Sequence, residues 1–321
     1  MDVKLLLKRG ALLAAANWPL VAIQFVAETT FQVLLAVPII GAAILVAVLL
    51  GADLAKLLQG GMREMFGTIS AALVADPVAF GAFIVAFAIA LGGGAMLMFL
   101  VKGGVMDILI AANAAAGPIE REALTLDTLR TASGFSLARF VSGCARLFRR
   151  YLALGALLTL AYGLSGVAYV ALIVYGYRAA GDGLLFFGWA FVAALITLGL
   201  LAWLALVNVT YLLAQLIIAA DNVGAVEALR AIVQFVRRRF RPLGGVFLVV
   251  LAMVVGATFV SALAWSGVGL VAFVPLVGLA VFPLQIAALL VRGLIFEYIG
   301  ITALGAYLAL YRPQGPADAT V

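Results

Sequence analysis

Between Leu243 and Val291 the chain runs forty-nine residues without one ionisable side chain, and shorter apolar runs recur along most of its length. A bilayer core about 30 Å thick takes roughly 20 apolar residues per helical crossing. Set against the charged breaks, the runs predict spans at about 20–50, 78–101, 151–177, 187–218, 243–265 and 284–310. The expected fold class is all-α, a polytopic membrane helix bundle of six spans. The uncharged stretch 266–283, with Pro275 and Pro283, leaves a seventh crossing open. Residues 1–312 are expected to form one transmembrane domain and 313–321 a short tail.

A second pattern occurs twice: a basic amphipathic helix leading directly into a span. In 225–243, Val226, Leu229, Val233, Val236, Phe240 and Leu243 recur at three- and four-residue steps, with Arg230, Gln234, Arg237, Arg238 and Arg241 on the other side. Asp221 or Asn222 is placed to cap this helix, Glu227 falls in its first turn, and the arginines crowd its end. In 136–151, Leu137, Phe140, Cys144, Leu147, Phe148 and Tyr151 oppose Arg139, Arg146, Arg149 and Arg150. The copies align at Arg149-Arg150-Tyr151 and Arg238-Arg239-Phe240, each followed four residues later by Gly155 or Gly244. An N-terminal helix carrying Lys4, Lys8 and Arg9 forms a degenerate third copy. Both full copies are expected to lie in the interface, their arginines serving as topology signals or as contacts for anionic lipid headgroups. Arg239 belongs to the same basic cluster.

The stretch Gly224-Ala225-Val226-Glu227-Ala228-Leu229-Arg230, then Phe235, Arg237-Arg238-Arg239-Phe240 and an apolar span, resembles the six-pass membrane domain attached to some bacterial glycerophosphoryl diester phosphodiesterases and its stand-alone relatives. Tyr311-Arg312 is similar to that family's ending, without the acidic residue expected between them. The phosphodiesterase barrel has no counterpart, so the resemblance implies a membrane architecture and no hydrolytic activity.

Composition agrees with the pattern. Hydrophobic residues make up 67% of the chain, charged residues 11%, and mean hydropathy is +1.25. The net charge is +6, and its distribution sets topology. With the N-terminus inside, sixteen Lys and Arg fall in cytoplasmic segments, against Lys56, Arg63 and Arg178 outside. Both termini are therefore expected in the cytoplasm. Arginine outnumbers lysine and alanine is abundant, which points to a GC-rich bacterial genome and so to the inner membrane.

The polar residues within the spans are few. Gln24, Glu28 and Gln32 follow at four-residue spacing in span one, with Asn17 seven residues before Gln24. Span four carries Asn208 and Gln215, and span six Arg292 and Glu297. A charge at mid-bilayer costs on the order of 3 kcal/mol, so Glu28 is expected to be protonated, paired, hydrated or interfacial. Glu28 and Arg292 differ in depth by only ~6 Å, which makes them candidates for a pair. The cluster serves either to fix helix packing or to line a substrate path.

Enzyme chemistry finds no footing. Histidine is absent, the lone Cys144 has no disulfide partner or zinc-site companions, and no nucleophile stands beside a recognisable base. Gly92-Gly93-Gly94 has no following lysine for a phosphate loop, and Asp182-Gly183 lacks the further aspartates of a head-group transferase. Gly155, Thr159 and Gly163 form a small-residue ridge suited to helix packing. Met62, Met65, Phe66, Ile69 and Leu73 suggest an outer-surface helix in 52–75, and 103–135 a solvated connector with one short helix. No cofactor, metal or nucleic acid is expected, and membrane lipids are the expected partners. The expected role is a non-enzymatic integral membrane protein, a lipid-associated scaffold or accessory. The alternative is a small-solute or lipid transporter with a polar route near Glu28 and Arg292.

Overall fold

The computed structural model describes residues 2–50, 77–123, 125–181, 184–272 and 277–312. The predicted outer helix in 52–75, Asp182-Gly183 and the tail 313–321 lie outside them. Every described element is a helix: α1 (Val3–Ala16), α2 (Trp18–Leu50), α3 (Pro77–Ala115), α4 (Leu126–Thr131), α5 (Leu137–Ala180), α6 (Leu184–Asp221), α7 (Ala225–Ala272) and α8 (Val277–Tyr311). Six contain stretches long and apolar enough to cross a bilayer: Trp18–Gly41, Phe80–Ala115, Leu137–Ala180, Phe187–Asp221, Ala225–Ala264 and Pro283–Tyr311. Helices suit this solvent because they satisfy the backbone hydrogen bonds internally. The protein is thus an all-α, multi-pass membrane helix bundle. The ambiguous 266–283 is divided between the end of α7 and the start of α8, with 273–276 outside the described residues.

Spans three and five begin earlier than expected, because each basic unit is continuous with the span after it. In α7 the backbone departs from helical geometry at Arg239 (φ −126°, ψ 28°), three residues before Pro242. Proline lacks the N–H for the ladder, and its ring crowds the carbonyl four residues back, so the bend has a definite cause. In contrast, α2 continues through Pro38.

The described residues divide into two compact units, those within 1–22 and 102–321 and those within 23–101. In the first, α1, the final part of α3, the start of α5, the end of α6, the start of α7 and the end of α8 bury Leu6, Leu13, Ile108, Leu147, Leu216, Val246 and Leu308. The rest of the long helices carry most of the exposed large apolar side chains, as lipid-facing segments should. Glycines allow the closest approaches. A Cβ on Gly305 would lie 2.9 Å from the Gly10 Cα, so α1 and α8 cross nearly backbone to backbone. Gly103 and Gly143 do the same for α3 and α5. The predicted ridge on α5 is only partly used: Gly155 is buried, whereas a Cβ on Gly163 would meet open space.

In the second unit the Phe31 ring occupies the place where Gly94 would carry a Cβ. The glycine run of α3 is therefore a packing site at Gly94, and Gly92 and Gly93 face open space.

Candidate functional site

The first unit is tied together at one end of its helices by charged and polar side chains. Arg9 is the centre. Leu6, Arg9, Gly10 and Leu13 share the buried face of α1, while Lys4 and Lys8 stay exposed. The Arg9 guanidinium donates from Nε to Asn113 Oδ1 at 2.8 Å, from Nη1 to the Gly117 carbonyl at 2.7 Å and Glu120 Oε2 at 2.6 Å, and from Nη2 to the Asn113 carbonyl at 3.0 Å. Gly117 adopts φ 55°, a left-handed conformation glycine takes without steric cost. Lys8 donates to the Glu120 carbonyl at 2.7 Å.

Asn17 makes a second tie. Its amide nitrogen donates to the carbonyls of Leu13 and Ala132, each at 3.0 Å, and its Oδ1 accepts from the Gly134 N–H at 2.8 Å. Asn17 ends α1 rather than extending the stripe of α2. The connector expected to be solvated is accordingly docked in part: Ala116, Ile119, Glu120 and Ala132 are buried. Its short helix is α4, capped by Thr125 and Thr128.

The two basic units differ in what they do with their apolar stripes. On α5, Phe140, Cys144, Leu147 and Tyr151 are buried inside the protein, so this unit does not rest its apolar face on lipid. Asp107 of α3 accepts from Arg146 and pairs with Arg139 at 3.4 Å, while Arg150 donates to Asn222 and Arg149 is exposed. In the basic unit of α7 (225–243) the buried residues are Ala228, Ile232 and Leu243. Val226, Val233 and Phe240 are 57%, 51% and 68% exposed. Arg230, Arg237, Arg238, Arg239 and Arg241 are exposed beside them, and none forms an ion pair among the described residues.

Neither predicted cap is used at the start of α7. Asp221 accepts from the Tyr311 hydroxyl and from Arg312 Nη2 at 2.8 Å, and Asn222 accepts from Arg150. Instead, the Gly224 N–H donates to Glu227 Oε2 at 3.2 Å, as an acidic residue in a first turn can arrange. The Tyr311 ring also meets Phe235 edge-on, with centroids 5.2 Å apart. Tyr311 and Arg312, noted in sequence as an ending, thus form a clasp joining α8 to α6 and α7.

The intramembrane polar residues do not converge on one point of the first unit. Asn208 Oδ1 accepts from the Tyr162 hydroxyl at 2.7 Å, and the backbone carbonyl of Gln215 accepts from the Tyr151 hydroxyl at 2.9 Å, so α6 meets α5 at both positions. Glu297 is buried, whereas Arg292 is exposed with its guanidinium 5.6 Å from the Phe296 ring centroid. In the second unit Gln24 is buried, Glu28 half-buried and Gln32 exposed. Comparison with known protein families, curated proteins and solved structures returns no match.

A row of exposed guanidinium groups beside exposed apolar side chains has a definite chemical capacity. The arginines can take phosphate oxygens in bidentate hydrogen bonds while the apolar stripe rests at the acyl boundary.

Proposed function

We propose that the protein is a non-enzymatic, multi-pass protein of a bacterial inner membrane, with both termini cytoplasmic, acting as a lipid-associated scaffold or accessory. The observation that carries this reading is the start of α7, where Val226, Val233 and Phe240 are exposed next to five exposed arginines. On a soluble surface that stripe would be a liability, whereas at an interface it is a foothold. Each arginine near an anionic leaflet contributes about 1 kcal/mol. The resemblance of 224–240 to the six-pass domain of glycerophosphoryl diester phosphodiesterases falls on the same segment.

Lipid analysis of the purified full chain tests the proposal. Replacing Arg237, Arg238, Arg239 and Arg241 together with glutamine should reduce the anionic phospholipid retained at least several-fold, with topology unchanged. Equal retention would leave these residues as topology signals and remove the lipid-associated role.

A further inference from the structure

Between the outer parts of α7 and α8 lies a cavity of about 510 Å³ whose walls include Val260, Ala264, Ala288 and Ile295. Its volume falls in the range of small-molecule sites, which are mostly apolar with a few polar groups that fix orientation. Here those groups are Ser261, Gln285 and Arg292.

Arg292 is exposed on this groove, and within its own unit it has no ion pair among the described residues. Phe296, four residues on, lies on the same helical face. The buried Glu297, five residues on, is turned well away around the helix. A guanidinium beside an apolar groove is held at a cost near hydrocarbon, and an anion at the same place shares that cost.

Position along the helix indicates which anion. Arg292 precedes Arg312 by twenty residues, or about 30 Å of helix, close to one hydrocarbon thickness. Arg312 belongs to the hydrogen-bonded end of the unit, through Asp221. Arg292 is therefore within a side chain's reach of the opposite headgroup layer, where phosphates are at hand.

We propose that this groove binds one anionic phospholipid of the leaflet opposite the α7 arginines, an acyl chain lying along Val260, Ala264 and Ala288 and the phosphate held by Arg292. The site is separate from the start of α7, and it stands or falls independently of it.

Native mass spectrometry of the full chain, reconstituted in phosphatidylcholine with phosphatidylglycerol as the anionic probe, tests the site. The wild-type chain should hold one phosphatidylglycerol that Arg292→Met loses and Arg292→Lys keeps. Ala288→Trp fills the groove while leaving the cation in place, and it should lose the same lipid. The glutamine variants of Arg237, Arg238, Arg239 and Arg241 should retain it, which separates this site from the function proposed above. An unchanged count in Arg292→Met or in Ala288→Trp overturns the proposal. So does an unfolding cycle in which Glu28→Gln cancels the loss caused by Arg292→Met, because the cation then belongs to that carboxylate. Should Arg292→Met not fold, Arg292→Lys and Ala288→Trp carry the comparison.

Discussion

Arg9 and Glu120, 111 residues apart in sequence, meet at 2.6 Å with side chains only 2% and 5% exposed. Desolvating two charges is costly, and the geometry compensates by giving the guanidinium three further acceptors, Asn113 Oδ1 and the carbonyls of Asn113 and Gly117. The pair fixes α1 against the turn that follows α3.

Removing one partner leaves the other buried without the counter-charge of this pair. Arg9→Met or Glu120→Met should each cost about 3–5 kcal/mol, and the double replacement less than the sum. Thermal unfolding of the four proteins in detergent gives the coupling; additive losses would refute a paired, desolvated interaction.

The crossing of α1 and α8 should tolerate no side chain. Gly305→Ala places a Cβ 2.9 Å from the Gly10 Cα, and Gly10→Ala places one 2.8 Å from the Ala306 nitrogen, both against backbone that cannot rotate away. A loss of about 1–3 kcal/mol is expected for each. Gly163→Ala, directed into open space, serves as the control and should not destabilise. A Gly305→Ala protein as stable as wild type would contradict the close crossing.

Cys144 is buried beside Gly104 and Phe140. In native membranes it should resist a maleimide reagent and react fully once denatured. Gly104→Val directs a Cβ to 2.8 Å from the sulfur, so it should displace that packing and raise labelling at least several-fold. Rapid labelling of the unaltered chain would place the α3–α5 contact in error.

The division of basic residues, sixteen against three, motivates a topology test. A reporter fused after Arg312 should be active only when the reporter functions in the cytoplasm, and one inserted near Arg178 only in the opposite compartment. A C-terminal fusion active solely outside would reverse the assignment.

The spans were legible because apolar length is a property of contiguous sequence, and the basic units because their period is local. Less legible was the difference between them: Tyr151 and Phe240 occupy matching positions of similar segments, yet one is buried and the other exposed. Only the neighbouring helix decides that, and Asp107 with Gly103 and Gly104 supplies it for α5 alone. Charge alone groups Arg9 with Lys4 and Lys8 as a topology signal, although its spacing from Leu6 and Leu13 puts it on the apolar face of α1. That spacing was the available signal. Its partners, Asn113 and Glu120, lie too far along the chain for any local pattern to nominate. Gly10 and Gly305 are likewise two of thirty-four glycines until the crossing is seen.

The union of α1 with α8 also orders the protein's birth. The Tyr298 hydroxyl donates to the carbonyl of Ala11 at 3.0 Å across 287 positions of sequence. At roughly 5–20 residues per second, a ribosome makes the second partner about 15–60 s after the first. Throughout that interval the apolar side of α1 must wait at the membrane surface or against a chaperone. Assembly of this core therefore closes only once α8 has emerged, which leaves a window in which a nascent chain is open to quality control.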